Sequence, residues 1–128
     1  MRAAEQRALL PLLSKPVLDE YRAVLADGEI VERFPEITPE LVQITIRRLR
    51  FVGDYVRSPK VRFQLPRDVR DEKFIELALA LNATHIVTHD ADLLSLTTSV
   101  TDAGKRFRQR LPNVEIVTAG ELVRKISR

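Results

Sequence analysis

The segment from Asp71 to Leu94 constrains this chain more than any other. It reads Asp71-Glu72-Lys73-Phe74-Ile75-Glu76-Leu77-Ala78-Leu79-Ala80-Leu81-Asn82-Ala83, then Thr84-His85-Ile86-Val87-Thr88, then His89-Asp90-Ala91-Asp92-Leu93-Leu94. An acid opens a helical stretch, a short apolar strand follows, and two more acids stand just past the strand. In a parallel sheet the helix runs antiparallel to the strand it precedes, so its N-terminus sits beside the strand's carboxyl end. About twelve helical residues rise about 18 Å, and about five extended ones span about 17 Å. The lengths match. Acids far apart in sequence are thereby gathered at one sheet edge, where open α/β folds place their sites.

At 128 residues the chain has the length of one domain, 1–128, able to bury a real core. It has no cysteine, which excludes disulfides, thiol catalysis and cysteine-ligated zinc. Only His85 and His89 offer imidazole, so a bound metal is expected to be a hard, oxygen-ligated ion. The net charge of +3 points only weakly to a nucleic-acid partner. No run of about 18 apolar residues and no signal-like start is present, so the expected location is the cytoplasm, with no membrane partner.

Leu9–Leu13 reads as a buried strand, and Ser14 can cap a helix with Pro16 in its first turn. Val17, Glu20, Tyr21 and Val24 recur at helical spacing and share a face, which makes Glu20 a carboxylate on an apolar stripe. Asp27-Gly28 and Pro35 mark a loop. Thr38-Pro39-Glu40 opens a helix that carries Leu41, Ile44, Thr45, Leu49 and Val52 inward. Tyr55-Val56 and Val61–Phe63 read as short extended pieces, limited to an edge or loop by Pro59 and Pro66. A basic helix over 101–110 is capped by Thr101 and anchored by Phe107 and Leu111. Val114–Val117 is a strand, and Thr118-Ala119-Gly120-Glu121 is a capping-box start for a last helix holding Leu122, Val123 and Ile126. Strands alternating with helices indicate a parallel α/β sheet covered on both faces.

Glu20 also follows a strand closely, so Glu20, Asp71 and Asp90 are expected to converge with Asp92 on the rim. Clustered carboxylates repel one another unless a cation neutralises them, and Mg²⁺ or Mn²⁺ does so through oxygen ligands. Each acid has an ordinary alternative. Asp71 can complement a helix dipole, Asp90 and Asp92 can be loop and cap residues, and Glu20 can reach water from an apolar stripe. His85 reads as packing, His89 as a weak substrate contact, and Thr88 as support for the Asp90 turn. Lys105, Arg106, Arg108 and Arg110 form a basic cluster open to two readings, a solvated face or contact with RNA phosphates; Arg47, Arg48 and Arg50 repeat the ambiguity.

At these residues the chain resembles the PIN-domain (PilT N-terminus) nucleases, particularly the bacterial toxin components of toxin–antitoxin pairs. The matching pieces are Ser14-x-x-Val17-Leu18-x-Glu20-Tyr21-x-x-Val24-Leu25, Arg67-Asp68-x-x-Asp71-x-x-Phe74-x-x-x-Ala78, Ile86-Val87-Thr88-x-Asp90-x-Asp92-Leu93-Leu94 and Thr118-x-x-Glu121-Leu122. The resemblance implies a three-layer α/β/α sandwich on a parallel sheet and metal-dependent RNA cleavage. It implies Glu20, Asp71 and Asp90 as the catalytic metal-site acids, with Asp92 auxiliary. The family opens with an apolar strand ending in an Asp that is a main metal ligand, and Met1–Gln6 matches only the tail of the helix after that strand. Either the true start lies upstream of Met1, or the chain is an N-terminally truncated PIN-like fold with impaired chemistry.

The expected function is an Mg²⁺- or Mn²⁺-dependent ribonuclease, the toxin of a toxin–antitoxin pair, with water as nucleophile and the basic helix guiding RNA. The competing expectation is a non-catalytic module that binds RNA or an antitoxin-like protein. A response-regulator-like module is weaker, because it lacks a Lys at a later strand end. Without the first strand, weak cleavage and association with a second copy are expected.

Overall fold

The computed structural model describes residues 9–126. Its parallel strands are short and form two separate pairs among the described residues, not one continuous sheet. The chain divides into two compact units, residues 1–59 and 60–128.

In the first unit β1 (Leu12–Ser14) pairs in parallel with β2 (Asp54–Val56), with Leu13 opposite Tyr55. The strand begins at Leu12, not Leu9. Pro11 lacks a donor, but its carbonyl accepts from the Asp54 N–H at 2.9 Å. Ser14 is fully buried and caps α1 (Lys15–Leu25), its Oγ accepting from the Val17 N–H at 3.2 Å. Asp27 caps a helix the sequence reading took for a loop, α2 (Gly28–Arg33), by accepting from the Glu29 N–H. Thr38 caps α3 (Pro39–Val52) as expected.

The buried faces differ from the expected ones. On α1 the core takes Val17 and Leu18, while Tyr21 and Val24 are exposed. On α3, Ile46 is buried with Val42 and Leu49 packed beside it, whereas Leu41 and Ile44 are exposed. Two apolar stripes compete on α3. The one at 42, 46 and 49 meets Leu13, Leu18 and Tyr55. Gly53 ends α3 where a Cβ would stand 2.4 Å from the Pro11 carbonyl oxygen, so only glycine lets β2 start there.

In the second unit a 3-10 turn (Val69–Asp71) leads into α4 (Glu72–Ala80), which is shorter than expected. Asn82 stops it in the left-handed conformation, φ 54°, while the Ala83 N–H closes back on the Ala78 carbonyl. β3 (His85–Val87) pairs in parallel with β4 (Glu115–Val117), Ile86 opposite Ile116. Between them lie α5 (Ala91–Ser95) and α6 (Asp102–Arg110). The last helix, α7 (Ala119–Ile126), has the expected capping box, with reciprocal bonds between Thr118 and Glu121. Val123 is exposed, contrary to its expected inward placement.

Residues 61–65 form no strand. Residues 62–65 alternate between exposed and buried as an extended segment does, and four of their backbone groups are bonded by side chains from two helices. On α4, Glu76 accepts from the Phe63 N–H at 3.0 Å and Glu72 from the Leu65 N–H at 2.7 Å. On α6, Arg106 donates to the Gln64 carbonyl at 2.9 Å and Arg110 to the Arg62 carbonyl at 2.6 Å. Two extended residues advance about 6.7 Å and four helical residues about 6 Å, so alternate backbone groups meet side chains one turn apart. Phe63 and Leu65 point into the core with Ile75, Ile86, Phe107 and Ile116.

Candidate active site

The brace on 61–65 delivers the chain to a corner at Pro66–Asp71, and that corner forms one wall of a cleft of about 390 Å³ within the second unit. Arg67, Asp68 and Asp71 line it from the corner, Asp92 and Ser95 from α5, Ser99 and Thr101 from the following loop, and Asp102 and Arg106 from α6. Leu65, Leu93 and Leu96 are buried beneath these polar groups. The cleft is therefore acidic at its rim and apolar at its floor.

Local structure places each acid for a definite reason. Asp71 ends the 3-10 turn, and its N–H donates to the Asp68 carbonyl at 2.9 Å. It stands at the N-cap position of α4 without a side-chain capping bond, a place that suits an acid facing the helix dipole. Asp92 sits in the first turn of α5, exposed. Thr101 caps α6 by accepting from the Gly104 N–H at 3.2 Å, which leaves Asp102 in the first turn. A Cβ on Gly104 would lie 2.7 Å from the Ser99 carbonyl oxygen, so glycine allows that loop to pack against α6.

Asp90 has another task. Its Oδ1 accepts from the Asp92 N–H at 2.8 Å and the Leu93 N–H at 3.3 Å, capping α5. The Thr88 hydroxyl accepts from the Asp90 N–H at 3.0 Å, so Thr88 supports the turn as the sequence suggested. Asp90 does not line the cleft. Glu20 lies half-buried on α1 in the first unit, while Asp71, Asp90 and Asp92 belong to the second. Of the expected acids, one cleft thus unites Asp71 and Asp92. Among the described residues, no group of three or more His, Asp or Glu side chains is gathered closely enough to hold a metal ion.

The sequence reading did not place Asp68 and Asp102 in a site. Asp68 precedes Asp71 by three residues, one helical turn, and Asp102 is the single acid heading a basic helix; both signals were present. His85 packs half-buried with its Nδ1 2.8 Å from the Thr84 hydroxyl, and His89 is exposed.

The basic cluster on α6 divides in two. Arg108 donates to the Leu96 carbonyl at 2.8 Å, and Arg110 to the Arg62 carbonyl with its guanidinium 5.5 Å from the Phe63 ring centroid. Both hold the fold together. Lys105 is exposed, and Arg106 borders the cleft.

All the acidic donors at the cleft are oxygens, the chemistry a hard divalent cation requires. Mg²⁺ is commonly held by one or two carboxylates with waters and substrate phosphate completing its shell, so Asp71 and Asp92 fit such an ion. A protein-family model described as PIN domain matches residues 1–92, from before β1 through Asp92. No curated protein and no solved structure gives a match.

Proposed function

The chain belongs to the PIN-domain family, and from that premise we propose that it hydrolyses RNA phosphodiester bonds with Mg²⁺ or Mn²⁺ at the acidic cleft. The observation that carries this reading is the meeting of Asp71 and Asp92 on one cleft, from segments about twenty residues apart, over an apolar floor. Family members are typically nucleases and generally metal-dependent. Asp71 and Asp92 would hold the cation. The ion, when bound, supplies an acidified water and offsets charge on the phosphodiester. The chain's own part is to orient the strand and to keep the acid positions fixed through the 61–65 brace and the Asp90 cap.

A toxin role with an antitoxin-like partner or a second copy is part of the same proposal. The exposure of Tyr21, Val24, Leu41, Ile44 and Phe51 on the first unit's helices supports a protein-binding surface. A non-catalytic RNA- or partner-binding module is the second reading. It is favoured by one observation, the use of the Asp90 carboxylate as a helix cap.

The test is incubation of the purified chain with labelled single-stranded RNA in Mn²⁺, alongside EDTA, Asp71→Asn and Asp92→Asn. EDTA-sensitive cleavage lost in both variants is the expected result. Millimolar Mn²⁺ is also expected to raise the melting temperature of the parent, and less so that of either variant. Cleavage that persists in EDTA or in Asp71→Asn refutes the site. RNA binding without cleavage selects the second reading.

A further inference from the structure

Arg106 is set apart from the other bases of α6 by what its guanidinium touches. Its one hydrogen bond among the described residues goes to the Gln64 carbonyl, through a single Nη2. A guanidinium carries five N–H donors, so an edge remains for a ligand. That side chain is half-buried and borders the cleft with Asp68, Asp71, Asp92 and Asp102, yet its bond is to a carbonyl and not to any of these carboxylates. A tethered arginine has already lost rotamer freedom, so less is lost when a ligand arrives. Arg108 and Arg110 are committed to Leu96 and Arg62, and Lys105 lies outside the cleft lining.

We infer that Arg106 is the phosphate anchor of the cleft, holding an RNA backbone phosphate through the guanidinium edge not used by Gln64, beside Asp71 and Asp92. This rests on the nuclease reading and deepens it, by assigning to one residue the RNA contact otherwise spread over the whole basic helix. The planar fork suits a phosphate bidentately, which a lysine ammonium does not.

A purely structural Arg106 would also matter, because its loss frees the Gln64 carbonyl. Arg110→Gln separates the two roles, since Arg110 makes the equivalent bond to Arg62 without bordering the cleft. The experiment measures binding of a short fluorescein-labelled single-stranded oligoribonucleotide by anisotropy across a salt series in Mg²⁺. It uses the Asp71→Asn chain, which is uncut on the nuclease reading, and a thermal melt of every variant. Arg106→Gln is expected to weaken binding about tenfold or more. It should also reduce the slope of log affinity against log salt by about 0.7, one phosphate contact on a single strand. Arg106→Lys should restore the slope but only part of the affinity. Arg110→Gln should lower the melting temperature at least as far while leaving the slope unchanged, and Lys105→Gln should change affinity no more than about twofold. Equal losses in Lys105→Gln and Arg106→Gln overturn the inference, as does an Arg106→Gln chain that binds like its parent. A parent chain that binds no RNA in Mg²⁺ overturns the nuclease reading together with it.

Discussion

Replacing Glu76 by alanine tests whether side chains alone hold 61–65 in place. Glu76 lies on α4 away from the cleft lining, and its Oε2 accepts from the Phe63 N–H at 3.0 Å. Phe63 is 1% exposed, so its backbone has little access to water once the carboxylate is gone. A hydrogen bond to a charged group is worth about 1.5–3 kcal/mol, and about 2 kcal/mol is the expected loss at this part-buried donor. For a chain of 128 residues melting in one transition, the unfolding entropy is about 0.27 kcal/mol/K, which converts that loss to about 7 °C. Glu76→Gln keeps an acceptor oxygen and loses only the charge, so it should fall about halfway.

The assay is calorimetric melting of both variants, with amide hydrogen exchange read at Phe63. Exchange at that amide should accelerate in Glu76→Ala and stay close to the parent in Glu76→Gln. Arg110→Gln removes a second support of the same segment, so the double variant should lose less than the two single losses combined. A Glu76→Ala chain melting within about 1 °C of the parent, with unchanged Phe63 exchange, would show that core packing of Phe63 and Leu65 fixes the segment unaided.

Asp90→Ala should cost about 1 kcal/mol by removing the α5 cap, whereas Asp90→Asn should preserve stability because asparagine caps equally well; activity lost in the stable Asp90→Asn chain would mark a ligand role. Gly104→Ala should cost about 1–3 kcal/mol through the clash with the Ser99 carbonyl, while Gly28→Ala, with open space around it, should gain about 0.5 kcal/mol; denaturant midpoints compare the two. Glu121 is held below its ordinary value of 4.5, first by the Thr118 N–H and then by the Thr118 hydroxyl. A depressed carboxylate stabilises the fold above its unfolded value and loses that contribution as pH falls through the folded one. Melting temperatures below about pH 4.5 should therefore drop more steeply for the parent than for Glu121→Gln; parallel curves would show that the capping box is not linked to proton uptake.

The elements whose starts depend on one side chain were legible in the sequence. Ser14, Thr38, Thr101 and the Thr118–Glu121 pair each make the capping bond that their residue type and spacing announce. Local chemistry settles such starts, and no distant residue is needed. Which face of a helix is buried was much less legible. On α3 the apolar residues form more than one stripe, and the choice of Val42, Ile46 and Leu49 depends on Leu13 and Tyr55, which arrive from elsewhere in the chain. The length of β1 was overread for the same reason, since strand pairing extends only where Asp54–Val56 lies opposite.

The site was half legible, and the missing half has one physical origin. A carboxylate's residue type and position indicate where it can stand but not which of its possible partners it takes. Asp90 and Asp92 look alike in sequence, two acids past a strand, yet the turn after β3 presents two backbone N–H groups to Asp90 and leaves Asp92 facing the cleft. The α6 bases repeat this. Residues four apart share a helix face, so Arg106 and Arg110 both reach 61–65, and both bond to its carbonyls. Periodicity alone could not distinguish an arginine that borders the cleft from one that only ties the fold. Arg106 lines the cleft together with Pro66, Arg67, Asp68 and Asp71, whereas Arg110 does not. Charge clustering on a helix thus says which arginines are available at a surface only after the carbonyls within reach of each guanidinium have been counted.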